Sequence, residues 1–250
     1  MQAREPFKMM SETSTVGPEQ IAANLAIVRE RMTQAALKSG RKPESVRLVA
    51  VTKYASIVQT LALIANGVRE IGESRVQDAE RKFAAIGAEH PEVCWHLIGH
   101  LQTNKADKAL KIFQTVHSID SLRIAEALNK EAVKRAPKPL TALLEVNVAG
   151  EANKYGLRPE LSTLSNLLAG CARLDALRVT GLMCMAPHAD DPEPTSRPVF
   201  RKLRELLQQL NEKQCYPHPL AELSMGMTQD YSIAIEEGAT IVRVGSALFQ

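Results

Sequence analysis

Eight short runs read as strands in this chain, and the stretches between them carry apolar residues at helical spacing. The runs cover residues 48–52, 68–71, 94–98, 115–118, 141–148, 177–183, 221–224 and 240–244. The first, Leu48-Val49-Ala50-Val51-Thr52, is apolar, β-branched and ended by a lysine, and reads as a strand buried on both faces. Helical segments follow at 57–66, 75–86, 103–112, 159–172 and 198–211, the last with Phe200, Leu203, Leu207 and Leu210 in register. A further helix carries Leu122, Ala125, Leu128 and Ala132 behind an N-cap at Asp120 or Ser121, and another runs from Thr228 to Glu237 and stops at Gly238. Strands alternating with helices imply parallel crossovers, and eight such units predict an α/β fold, a (β/α)8 barrel, in preference to an open doubly wound sheet. Closure is favoured because strand eight leaves no room for another helix before Gln250. A spare helix after Pro18, with Ile21, Leu25, Val28, Met32 and Ala36 on one face, is available to cover the seam. Residues 1–17 lack any period and are expected to be a disordered tail, with residues 18–250 forming the barrel domain.

Composition removes several function classes. The charge balance is 31 basic against 28 acidic residues, net +3, and aromatics make up 4% with a single Trp95. That is a poor basis for a phosphate-backbone surface or a base-stacking platform, so no nucleic-acid partner is expected. No run approaches the roughly 18 apolar residues of a membrane span and the first residues lack a signal-like apolar core, so a cytoplasmic location is expected. Mixed-charge helices suggest a monomer. Cys94, Cys171, Cys184 and Cys215 are scattered without a C-x-x-C pair and read as reduced packing thiols. His96 and His100 stand four apart with no third ligand, so no metal is expected.

A barrel of this kind does its chemistry at the C-terminal ends of its strands. The exits present Lys53, Gly72-Glu73-Ser74, Gly99-His100, Asn147, Met183 to Pro187, Ser224-Met225-Gly226, and Arg243 through Gly245-Ser246. Loops seven and eight commonly cradle phosphate in barrels. Here Ser224 and Ser246 supply hydroxyls, while Gly226 and Gly245 let backbone N–H groups approach an anion, although glycines in those places also serve simply as turn residues. Lys53 is either a solvated strand cap or an amine nucleophile whose neutral form is favoured by Arg243 on the neighbouring strand. Glu145, Asn147 and His96 are buried polar groups only if their parity faces inward. On barrel logic alone, an aldolase acting on a phosphorylated sugar through Lys53 remains open.

The segments LVAVTK (48–53), GESRVQD (72–78), WHLIGHLQTNK (95–105), LEVNVAGEANKYG (144–156), GLMCMAP (181–187), LSMGMTQDYSIAIEEGAT (223–240) and VRVGSALF (242–249) resemble, in order, those of the pyridoxal 5′-phosphate homeostasis (YggS/PROSC) family. The resemblance implies a barrel of the alanine-racemase N-terminal type holding pyridoxal 5′-phosphate (PLP) as an internal aldimine. It assigns Lys53 to the Schiff base and Arg243 to the pyridine nitrogen. Ser224, Met225 and Gly226 match the first phosphate loop, and Gly245 and Ser246 the second. Ser74 stands where the family usually has Asn, and Gln250 where it often has Gly. A guanidinium facing the pyridine leaves the ring nitrogen unprotonated and the ring a weak electron sink. The implied function is a PLP carrier without turnover of its own, with apo PLP-enzymes as acceptors; the competing reading is a racemase-like enzyme.

Overall fold

The computed structural model describes residues 16–135, 138–151 and 154–250. Its eight strands are β1 (Arg47–Val51), β2 (Glu70–Glu73), β3 (Cys94–Leu97), β4 (Thr115–Ile119), β5 (Leu140–Glu145), β6 (Leu177–Met183), β7 (Glu222–Ser224) and β8 (Ile241–Val244). They pair in parallel in sequence order and close through β1 and β8, with Val49 opposite Arg243. The barrel is thus the architecture expected from the eight-fold alternation. Between the strands run α2 (Ile57–Ala65), α3 (Val76–Ile86), α4 (Ala106–Leu110), α5 (Leu122–Val133), α6 (Leu161–Cys171), α7 (Pro192–Lys213) and α8 (Tyr231–Glu236). Among the described residues no helix is long and apolar enough to cross a membrane.

The main core lies between the helices and the outer face of the sheet, with Trp95, Ile71, Leu97, Leu144 and Phe200 buried in it. A smaller cluster of Val49, Leu143, Met183 and Ile241 is contributed by β1, β5, β6 and β8. With both faces covered, β1 reads as a nearly continuous apolar run. The spare helix, α1 (Pro18–Lys38), packs on α2, α8 and the 3-10 turn after β8, which is the seam it was expected to cover. Asn24 Nδ2 donates to the carbonyls of Leu248 (3.3 Å) and Gln250 (2.7 Å). Of the expected tail, residues 1–15 lie outside the described residues; Val16 packs on the core and its carbonyl accepts from Gln59 Nε2 at 3.2 Å.

Helix α7 begins six residues earlier than its apolar period indicates. Asp191 caps it by accepting from the Glu193 N–H, Pro192 takes the first turn, and Pro198 is accommodated inside the helix. A proline in the first turn gives up an N–H that has no helical partner, so Pro192 and Pro194 favour this start. At the far end of the chain, Gly238 follows α8 with φ +103, a left-handed helix stop where the sequence placed one.

Candidate functional site

Strand ends β1, β7 and β8 converge at one side of the barrel mouth. Lys53 lies in the turn two residues beyond β1, exposed, with Nζ 5.1 Å from the Tyr54 ring centroid. Gly245 lies against the exit of β1, so that a Cβ there would meet Val51 at 3.3 Å. Ser246 is exposed and opens a 3-10 turn over 246–248, a position whose N–H has no partner within the turn. Loop seven is joined to strand eight by the Arg243 N–H donating to Gly226 O at 3.0 Å and the Met225 N–H donating to Ile241 O at 3.1 Å. Gly226 has φ +90, and a Cβ on it would lie 2.5 Å from Ala234 Cβ, so both conformation and space require glycine. Asp230 holds the turn that follows, accepting from the Met227 N–H (2.7 Å) and from the Ser196 hydroxyl (2.9 Å).

Arg243 is 3% exposed. Its Nη1 donates to Ser224 Oγ at 2.7 Å and its Nη2 to Cys184 O at 2.9 Å, leaving most of the fork's N–H groups for another acceptor. Burial lowers its pKa, an effect opposed at longer range by Cys184, Asp230 and Glu145. A buried guanidinium with no directly bonded carboxylate among the described residues, beside exposed Lys53 and Ser246 and half-buried Gly245, fits a ligand that brings an uncharged ring acceptor and an anionic group. The structure therefore gathers Lys53, Gly226, Arg243, Gly245 and Ser246. It places Ser224 otherwise: the hydroxyl is fully buried, bonded to Arg243 and, at 2.9 Å, to His117 Nδ1. Met225 is fully buried too, so its place in the loop is carried by its backbone.

The other strand exits divide between scaffold and site. Glu73 is fully buried and spent on Lys82 of α3 (2.7 Å) and the Thr52 hydroxyl (2.6 Å). Asn147 ties its own loop by donating to Glu151 O at 2.8 Å. His100 stacks on Tyr155 with centroids 4.0 Å apart and an interplanar angle of 9°, and its Nδ1 is 3.2 Å from Asp120. Glu145, at the end of β5, does face inward and is buried, with Oε2 unpartnered among the described residues. Burial first, and the charge of Asp120 second, push its carboxyl up to about 7 against the opposing pull of Arg243. Burial likewise pushes the Cys184 thiol up to about 12 and Cys171 up to about 11, which suits packing and not nucleophilic attack. Sequence reasoning missed His117 altogether. Its available signal was a histidine third in its strand, matched by His96 at the same place in the strand before.

Comparison with known proteins agrees with the fold. The family model for the alanine racemase N-terminal domain matches residues 17–250. The pyridoxal phosphate homeostasis protein of Pseudomonas aeruginosa is 42% identical over 92% of this chain and 94% of its own, and that of Escherichia coli 38% identical over 92% and 95%. PipY of Synechococcus elongatus, solved with PLP bound, superposes with a TM-score of 0.78 at 33% identity, covering 92% of this chain and all of that one (100%). Alanine racemase of Clostridium difficile shares the fold at a TM-score of 0.68 and 13% identity, over 92% of this chain and 56% of the racemase. The motif resemblance is thereby borne out: the chain belongs to the pyridoxal phosphate homeostasis proteins, within the alanine racemase N-terminal domain family.

Proposed function

We propose that this chain binds PLP across the barrel mouth and carries it, as a cytoplasmic monomer, for apo PLP-enzymes without turning over a substrate of its own. When bound, PLP supplies an aldehyde that condenses reversibly with amines, a pyridine nitrogen that accepts a hydrogen bond, and a phosphate. Lys53 offers the amine, Arg243 the donor for the ring nitrogen, and the backbone of Gly226 and Gly245 with the Ser246 N–H and hydroxyl an anion cradle. The observation that carries the reading is Arg243, a buried cation with spare donors at the floor of a mouth whose rim holds an amine and a glycine-lined loop pair. A guanidinium cannot hand the ring nitrogen a proton, which withholds the electron sink that amino-acid chemistry on PLP needs. The relatives named for PLP homeostasis and the PLP-bound PipY support the same assignment.

Borohydride reduction of the PLP-loaded protein, followed by peptide mapping, should place the cofactor on Lys53, and Lys53→Ala should abolish the visible absorption band. A cofactor fixed to any other lysine overturns the assignment. Ser246→Ala should weaken PLP binding about tenfold, the value of one hydrogen bond to a charged acceptor. Unchanged affinity would move the phosphate elsewhere. Solvent deuterium exchange at Cα of L- and D-amino acids should stay far below ordinary enzymatic rates of about 1 s⁻¹; multiple turnovers at that rate would favour the racemase-like reading.

A further inference from the structure

A line of hydrogen-bonding groups crosses the barrel interior below the mouth. Arg243 Nη1 meets Ser224 Oγ at 2.7 Å, Ser224 Oγ meets His117 Nδ1 at 2.9 Å, and His117 Nε2 meets His96 Nδ1 at 2.9 Å. Beyond it, His96 Nε2 and Glu70 Oε2 stand 3.4 Å apart, a contact short of hydrogen-bond geometry, and neither atom has a hydrogen-bond partner among the described residues. Glu70 opens β2 at the opposite end of the barrel from the mouth and is held there by Arg47 at 3.2 Å, which also reaches Glu222 at 2.9 Å. Ser224, His117 and His96 are at most 1% exposed, so water cannot substitute for a missing partner.

The direction of each bond follows from its ends. Arg243 can only donate, so Ser224 Oγ accepts from it and has one O–H left to give. If that O–H goes to His117 Nδ1, then His117 is the Nε2–H tautomer and donates to His96 Nδ1. His96 in turn presents Nε2–H to the Glu70 carboxylate. Every donor then faces an acceptor, the last of them across the 3.4 Å gap to Glu70. Burial raises the pKa of Glu70 and Arg47 opposes the rise; while that carboxyl is charged, the reverse orientation would set the His96 Nε2 lone pair against its oxygen. Burial keeps both rings neutral, lowering His96 to about 3 and His117 well below its ordinary value, as one-proton relays of this kind require.

We propose that His117 is a positioning residue for Arg243: through the Ser224 hydroxyl it fixes the guanidinium as the last member of a one-way hydrogen-bond chain anchored on Glu70 and Arg47. Its bearing on the cofactor rests on the reading above, in which Arg243 addresses the pyridine nitrogen; the orientation of the chain does not. The first test therefore uses the protein without PLP. Long-range ¹H–¹⁵N spectra of the imidazoles should show two neutral Nε2–H histidines at pH 6, and the Arg243 guanidinium, assigned through Arg243→Lys, should give resolved and slowly rotating Nη signals. His117→Asn keeps an acceptor near Nδ1 and should preserve those arginine signals. His117→Gln, which carries its amide at the position of Nε2, should average them, as should Ser224→Ala, which cuts the same link should the glutamine variant not fold. An Nδ1–H tautomer at either ring, or arginine signals unchanged in the folded glutamine and alanine variants, would overturn the proposal. With PLP, His117→Gln should bind about tenfold more weakly and shift the visible band while His117→Asn stays near wild type. If borohydride fixes no cofactor on Lys53, the cofactor reading has failed, and the arginine and imidazole spectra still decide this one.

Discussion

Gly181→Ala should leave little folded protein. A Cβ at that position would lie 1.9 Å from Glu222 O and 2.6 Å from its carbonyl carbon. Both are backbone atoms of the neighbouring strand, so no rotamer change relieves the clash. Relief requires β6 and β7 to part, and with them the Gly181–Glu222, Leu182–Leu223 and Met183–Ser224 pairs. The expected loss is about 4 kcal/mol or more, in the range reserved for disrupted cores and strained backbone. In a chain of this size that lowers the melting temperature by about 10 °C or prevents soluble expression. Gly150→Ala is the control: nothing lies within 4 Å of its Cβ, and its φ of +69 alone should cost about 1 kcal/mol. Equal stabilities for the two variants would refute the close approach of β6 and β7. Because Ser224 ends β7 and Cys184 follows β6, the same contact sets where Arg243 finds both its acceptors.

The second large effect is a dependence of stability on pH with two opposing sources. Glu145 has its pKa raised from 4.5 to about 7, chiefly by burial. Between those values the unfolded chain ionises while the folded one keeps its proton, so stability falls as pH rises through the window, by about 3 kcal/mol in all. Glu145→Gln, which has no proton to lose, should be the more stable protein at pH 8 by an amount of that order and should lose the advantage near pH 4. His96 acts in the other direction. Its pKa is lowered from 6.5 to about 3, so its stabilising contribution is complete above 6.5 and is lost as pH falls, by about 2 kcal/mol between 6.5 and 5. His117, lowered by burial as well, adds to that loss. Glu145 offsets part of it in the native protein, so Glu145→Gln should unfold more steeply in acid than wild type. Urea titrations at pH 4, 5, 6.5 and 8 measure all of this. A stability difference between the two proteins that does not change with pH would show that the Glu145 carboxyl titrates normally.

The strand count, the order and the closure were legible because each βα unit repeats a contrast of period and polarity that local sequence carries. Helix α7 was read short because its apolar period begins only near Phe200, while the turn before it is set by Asp191 as the cap and Pro192 in the first turn. The positions of Lys53, Gly226, Gly245 and Ser246 at the rim of the candidate site were legible because strand exits can be found by counting. Its floor was not. When both faces of a strand are apolar, parity does not reveal which side chains point into the barrel, and so Ser224 was assigned to the open loop while its hydroxyl lies inside. Glu145 was recognised as a group whose meaning depended on that parity. Glu73 could not be paired with Lys82 from sequence, since the partner sits on the following helix and the contact depends on how that helix packs.

The seam between β1 and β8 also bears on how the protein is made. Arg47 to Ala50 pair with residues 241–244, and Asn24 of α1 bonds to carbonyls 224 and 226 residues further along the chain. On the ribosome, at about 5–20 residues per second, β1 and the apolar face of α1 therefore emerge long before the strand and turn that will cover them. Such widely separated contacts fold slowly, and until then a bare strand edge and an uncovered helix face are open to pairing with other nascent chains. Substitutions along the seam should therefore reveal themselves first as lower yield, before any change in the finished protein.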